Sequence, residues 1–168
     1  MSENGKARSR REFLAGLGTL PTFAAYLACI PVVSAANPPS DPWSASQLVD
    51  PADFARELAA DHKGAPLTTV YVGFRTLYEG GHISGASFHG TASTEQGLAS
   101  LKKWATAVPH STNLVIYCGC CPFDRCPNIR PAFAELRDMG FTHLRVVTMP
   151  TSFAEDWAGK GYPIEKGI

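Results

Sequence analysis

Residues 113–129 read Asn113-Leu114-Val115-Ile116-Tyr117-Cys118-Gly119-Cys120-Cys121-Pro122-Phe123-Asp124-Arg125-Cys126-Pro127-Asn128-Ile129. The first five positions form an uncharged, apolar run, the pattern of a strand buried on both faces. That strand ends directly at Cys118. Beyond Pro127 the residues Ile129, Phe133, Leu136 and Met139 recur at helical spacing, and Gly140 closes the run. A strand, a cysteine-rich loop and a helix therefore follow one another, with Cys118 at the strand's carboxyl end.

The flanking sequence repeats the alternation. Asp50-Pro51 supplies an N-cap and a proline at the first helical position, with Phe54, Leu58 and Ala59 on one face of a helix that runs to about Ala60. Leu67 to Val72 suits a buried strand, and Ser93-Thr94-Glu95-Gln96 predicts a capping box that opens a helix with Leu98, Leu101, Ala105 and Val108 on its apolar face. Leu144 to Val147 reads as another strand, and Ser152 to Glu155 as a second capping box. Strands alternating with helices predict an α/β domain whose central, mostly parallel sheet carries helices on both faces. Ligands in such sheets bind beyond the carboxyl ends of strands, which is where Cys118 lies.

The chain has 168 residues, 45% of them apolar, enough for one ordinary domain with its own core. Fifteen basic and fifteen acidic side chains cancel, so the net charge carries no nucleic-acid footprint. Cys29 stands apart, while Cys118, Cys120, Cys121 and Cys126 fall within nine residues of one another. Such a cluster can cross-link only itself and closes no long loop, so it is not a disulfide scaffold. Clustered thiols point to chemistry or to metal.

Residues 1–36 read as an address. Ser9-Arg10-Arg11-Glu12-Phe13-Leu14 resembles the twin-arginine export signal, a chargeless stretch runs from Phe13 to Ser40, and Ser34-Ala35-Ala36 offers a cleavage site. Export by the twin-arginine machinery places the mature domain in the periplasm or outside the cell. An uncleaved N-terminal membrane anchor is the alternative, disfavoured by Pro21 and Pro31 within the apolar stretch. Cleavage removes four basic and two acidic side chains and leaves eleven against thirteen, a net charge of −2. Residues 37–42, with three prolines, form a linker, and residues 43–168 the domain.

A cysteine between a buried strand and a helix N-terminus is expected to meet unpaired backbone N–H groups and the positive end of the helix dipole, which favour thiolate. The same cradle can hold an anion. Arg125 and Arg130 add positive charge near it, Arg125 having the better claim because it lies inside the loop.

Three stretches carry a resemblance to the rhodanese (thiosulfate sulfurtransferase) family: Gly81-His82-Ile83-Ser84-Gly85-Ala86, then Val115-Ile116-Tyr117-Cys118, then Trp157-Ala158-Gly159-Lys160-Gly161-Tyr162-Pro163. They are similar, in family order, to its GHI-x-GA motif, its strand leading to the active cysteine and its closing W-x-x-x-G-x-P. The resemblance implies a rhodanese-like fold over nearly the whole mature chain and a sulfurtransferase that needs no metal or organic cofactor. It implies Cys118 as the residue that accepts sulfur as a persulfide, with the following loop, Gly119 and Arg125 included, binding a small sulfur-containing anion or low-molecular-weight thiol.

The departures matter as well. Tyr71 and Gly73 stand where the family has D-x-R, and the loop is longer than the family's C-x-x-G-x-R-S. A second register, Cys120 to Arg125, keeps the family's cysteine-to-arginine spacing; Cys118 is preferred because it directly follows the strand. Cys120, Cys121 or Cys126 can act as a resolving thiol that attacks the persulfide and leaves a disulfide for a thiol reductant protein to reopen. His82 reads as structural, Trp104 and Trp157 as core aromatics, and Asp124 as a solvated acid. The rival reading is a zinc or iron–sulfur module using Cys118, Cys120, Cys121 and Cys126, although the array lacks a second, separated pair of ligands.

Overall fold

The computed structural model describes residues 41–60 and 67–167. The export signal, its cleavage site and linker residues 37–40 lie outside the described residues. Among the described residues no helix is long and apolar enough to cross a membrane.

Five parallel strands form the central sheet in the order β1-β6-β5-β2-β4, with β1 at Leu48–Val49, β2 at Leu67–Tyr71, β4 at Ser87–Phe88, β5 at Asn113–Tyr117 and β6 at His143–Val147. A separate antiparallel pair joins β3, His82–Ile83, to β7, Ile164–Glu165. β5 is the middle strand, and its alternation sorts the core. Leu114 and Ile116 face α3 (Glu95–Ala105) and α4 (Ile129–Asp138), meeting Leu101, Phe133 and Leu136. Val115 and Tyr117 face the other side, with Phe54 of α1 (Pro51–Ala59) and Trp157. Both faces are thus covered by helices, which explains why β5 reads as a continuous apolar run. Phe133 and Trp157 are fully buried, each contributing about 2–3 kcal/mol by burial.

The caps follow sequence closely, with one correction. Asp50 accepts from the Ala52 N–H at 2.8 Å, and Ser152 from the Glu155 N–H at 3.2 Å, opening α5 (Phe153–Asp156). At α3, however, the capping residue is Thr94, which accepts from the Gly97 N–H at 3.0 Å. Ser93 is displaced from that role because its own N–H is held by the Asn128 side chain at 2.9 Å.

The Gly81–Ala86 stretch follows α2 (Arg75–Gly80) and braces the site's far wall. His82 Nδ1 pairs with the Tyr78 carbonyl at 2.8 Å and the ring stacks on Tyr78, so its role is structural. The Ile83 N–H donates to the Tyr117 hydroxyl at 2.9 Å, and the Trp157 indole N–H to the Pro163 carbonyl at 2.9 Å. At the other edge, Asp41 pairs with Arg130 at 2.8 Å and Trp43 packs on Phe123 and Phe133, which seats the start of the described chain against α4 and the cysteine loop.

Candidate functional site

Where β5 ends, the chain turns at Gly119 with φ +72, a left-handed conformation that favours glycine. Its carbonyl accepts from the Phe153 N–H at 2.9 Å, and the Phe123 N–H donates to the Met149 carbonyl at 2.9 Å. The enlarged loop is thereby tied to the segment after β6. Between these ties the sulfurs converge. Cys118 Sγ lies 3.1 Å from Cys120 Sγ, and Cys120 Sγ 3.4 Å from Cys121 Sγ. The ligand atoms of Cys118, Cys120 and Cys126 all lie within 4.8 Å of one another. The four loop cysteines are free thiols.

The sequence reading did not single out Asn128, yet this fully buried side chain organises the cluster. Its Oδ1 accepts from the Ser93 N–H, which fixes the amide so that Nδ2 points at sulfur, 3.5 Å from Cys118 Sγ and 3.6 Å from Cys120 Sγ. An asparagine just before a helix reads as an ordinary N-cap, so nothing in sequence marks this role. The structure gives it no capping bond.

These contacts sort the protons. Cys118 is buried and directs its S–H at Cys120 and then Cys126, so its pKa is pushed far up, with burial adding to the effect. Cys120 is half-buried and gathers donors from Cys118, Cys121, Cys126 and Asn128, which bring its thiol from the ordinary 9.0 down to about 5 despite burial. Cys126 falls to about 7 through the Cys118 thiol and, further, through the backbone N–H groups of Asn128 and Ile129. Cys121 is raised to about 12, by burial first and by donation to Cys120 second. The donors converging on Cys120 favour charge there over its three neighbours. The expectation that Cys118 occupies the helix N-terminus is corrected here: Cys126, two residues before Asn128, takes the N–H groups of α4, and Cys118 keeps one backbone N–H, that of Cys120.

Cys118, Gly119 and Cys120 line the floor of a pocket of about 520 Å³, with Leu77, Phe153 and Ile164 on its walls. Arg125 is not among its lining residues. It sits on a 3₁₀ turn, Phe123–Arg125, 76% exposed and 3.8 Å from Asp124, over a separate shallow depression. Arg130 is also committed elsewhere, to Asp41 and to the Asp124 carbonyl. The Tyr71 and Gly73 departure from D-x-R does mark the site. A β-carbon on Gly73 would lie 2.4 Å from Tyr71 Oη and 2.8 Å from Cys118 Sγ, so Gly73 is what lets the phenol end and the sulfur share one place.

No protein-family model and no curated protein matches the chain. Solved structures do. A rhodanese-like domain from Anabaena aligns at TM-score 0.52 and 24% identity over 73% of this chain and 80% of its own. A Bacillus halodurans protein aligns at 0.54 and 18%, over 72% and 77%. Thiosulfate sulfurtransferase from Pseudomonas aeruginosa aligns at 0.55 and 21%, over 79% of this chain and 21% of that longer one. With its five parallel strands and flanking helices, and with a cysteine loop at the carboxyl end of the central strand, the domain has a rhodanese-like fold.

Proposed function

We propose that this domain is a sulfurtransferase that moves sulfane sulfur to a thiophilic acceptor through a persulfide on the Cys118–Cys120 pair. The 3.1 Å sulfur–sulfur contact at the floor of an open pocket is the observation that carries this reading. Sequence alone favours Cys118 as the acceptor; the burial of Cys118 and the donors converging on Cys120 support Cys120 for the first attack. With thiosulfate as donor, the Cys120 thiolate attacks the outer sulfur, a new S–S bond forms to the protein, the S–S bond of thiosulfate breaks, and sulfite leaves with the electron pair. Transfer onward regenerates the thiolate. Alternatively the Cys118 thiol attacks the persulfide, giving a Cys118–Cys120 disulfide and releasing HS⁻, after which a thiol reductant protein restores both thiols. The Arg10-Arg11 motif supports the companion proposal that this chemistry takes place in the periplasm or outside the cell, after twin-arginine export.

A second reading rests on the convergence of Cys118, Cys120 and Cys126 within 4.8 Å. Three thiolates are a soft donor set that fits zinc, with Cys121 beside Cys120 as a fourth sulfur. The three would hold the ion, and a bound ion would supply thiolate activation. Intact mass spectrometry separates the two readings. Sulfur transfer predicts a gain of one sulfur atom after thiosulfate or an organic persulfide, removed by reductant and lost in Cys120→Ser. A bound metal in the native mass with no sulfur gain from any donor favours the metal module; retention of the sulfur in Cys120→Ser but not in Cys118→Ser returns the first attack to Cys118.

A further inference from the structure

The pocket above the thiols is unlike a site for a small dianion. Among the described residues its one cationic lining side chain is Lys166, and both loop-side arginines lie elsewhere. At the start of α4, where backbone N–H groups could cradle a sulfonate, the Asn128 and Ile129 N–H groups already favour the Cys126 thiolate. Apolar groups make up most of the wall instead: Leu77, Phe153, Ala154, Ala158 and Ile164. Leu77 and Ile164 are 48% and 42% exposed, two of the three large apolar side chains left in water among the described residues, and both stand on this pocket. Its volume suits a small organic molecule.

At the floor, one polar group is unspent. Tyr71 is buried, and its hydroxyl has no hydrogen-bond partner among the described residues. The Phe74 N–H lies near the oxygen without closing a bond, and the hydroxyl proton faces no acceptor. A buried hydroxyl without a partner is destabilising, so its place beside Cys118 calls for a partner that arrives with the reaction. Sulfur bearing negative charge is such an acceptor.

We propose that the donor is a low-molecular-weight organic persulfide with an apolar body, held by the Leu77–Phe153–Ile164 wall, with the Tyr71 hydroxyl donating to the transferred sulfur. The inference rests on the sulfur-transfer reading and names its substrate class. The step balances: the cysteine thiolate attacks the terminal sulfur of R–S–SH, the protein S–S bond forms as the R–S–S bond breaks, and R–S⁻ leaves with the proton as R–SH. No external oxidant or reductant enters.

The test measures sulfur loading of the full chain by mass spectrometry from benzyl persulfide, glutathione persulfide and thiosulfate, each rate divided by that donor's rate with free cysteine. Benzyl persulfide is expected to lead both others by about tenfold or more, the value of one favourable apolar contact set. Tyr71→Phe, which removes only an unpaired hydroxyl, is expected to lower loading from benzyl persulfide roughly tenfold while the melting temperature holds or rises. Leu77→Arg, at an exposed position, is expected to shift the preference toward thiosulfate. Equal normalised rates, or thiosulfate fastest, overturn the inference and leave sulfur transfer standing. Wild-type rates in Tyr71→Phe overturn the role of Tyr71, and loading from no donor overturns both the inference and the reading beneath it.

Discussion

Asn128 shows how much one amide can decide. With Ser93 holding its oxygen, the NH₂ has no freedom to turn away, so it meets two sulfurs whatever their charge and favours the charged one. Asn128→Leu should destabilise the domain by about 1–3 kcal/mol, because the Ser93 N–H loses its partner, and should move Cys120 ionisation upward. The check is iodoacetamide alkylation against pH. In the parent chain one thiol should react already near pH 6, given a Cys120 pKa of about 5, and that fast class should vanish in Cys120→Ser. In Asn128→Leu its midpoint should lie higher. Neither behaviour was legible in sequence, since spacing says that Cys118 follows the strand but not which sulfur collects the donors.

At the scale of elements, the loop from Gly119 to Asn128 is held by its ties to other segments rather than by regular structure. Gly119 approaches α5 so closely that an added β-carbon would lie 2.7 Å from Phe153 Cβ and 2.9 Å from the Phe153 nitrogen. Backbone cannot yield as a flexible side-chain tip can. Gly119→Ala should therefore cost about 2 kcal/mol or more, from the left-handed φ and the clash together, read as a lower urea midpoint. It should also abolish sulfur loading, because the pocket floor shifts with the loop. Gly119 was expected to serve by binding substrate; it lines the pocket, and its conformation holds the floor in place. Strands β2, β5 and β6 and helices α1, α3 and α4 were legible because their apolar periodicity matches their burial. The short β3–β7 pair was not, as two residues per strand carry no period.

For the whole molecule, the thiol cluster links stability to pH. Cys120 and Cys126, lowered to about 5 and about 7, hold fewer protons folded than unfolded. Their stabilisation is present above the ordinary thiol value of 9.0 and is lost as pH falls through those values. Cys118 and Cys121 are raised, so their contribution is present below that value and fades as pH climbs past it. Urea unfolding of the reduced, chelator-treated protein should show stability rising from about pH 5 toward the ordinary thiol range and falling beyond it. The rise should flatten when Cys120 and Cys126 are both serine. Sequence by itself determined the α/β alternation, the parallel sheet and the place of the cysteine loop at the end of its central strand. Those depend on periodicity and on local turn chemistry, which neighbouring residues encode. Tertiary structure decided the rest: which sulfur collects the donors, that Arg125 lies away from the pocket, and that Tyr71 and Asn128 meet the thiols. Each of these depends on distances between groups far apart along the chain, and spacing carries no record of such distances.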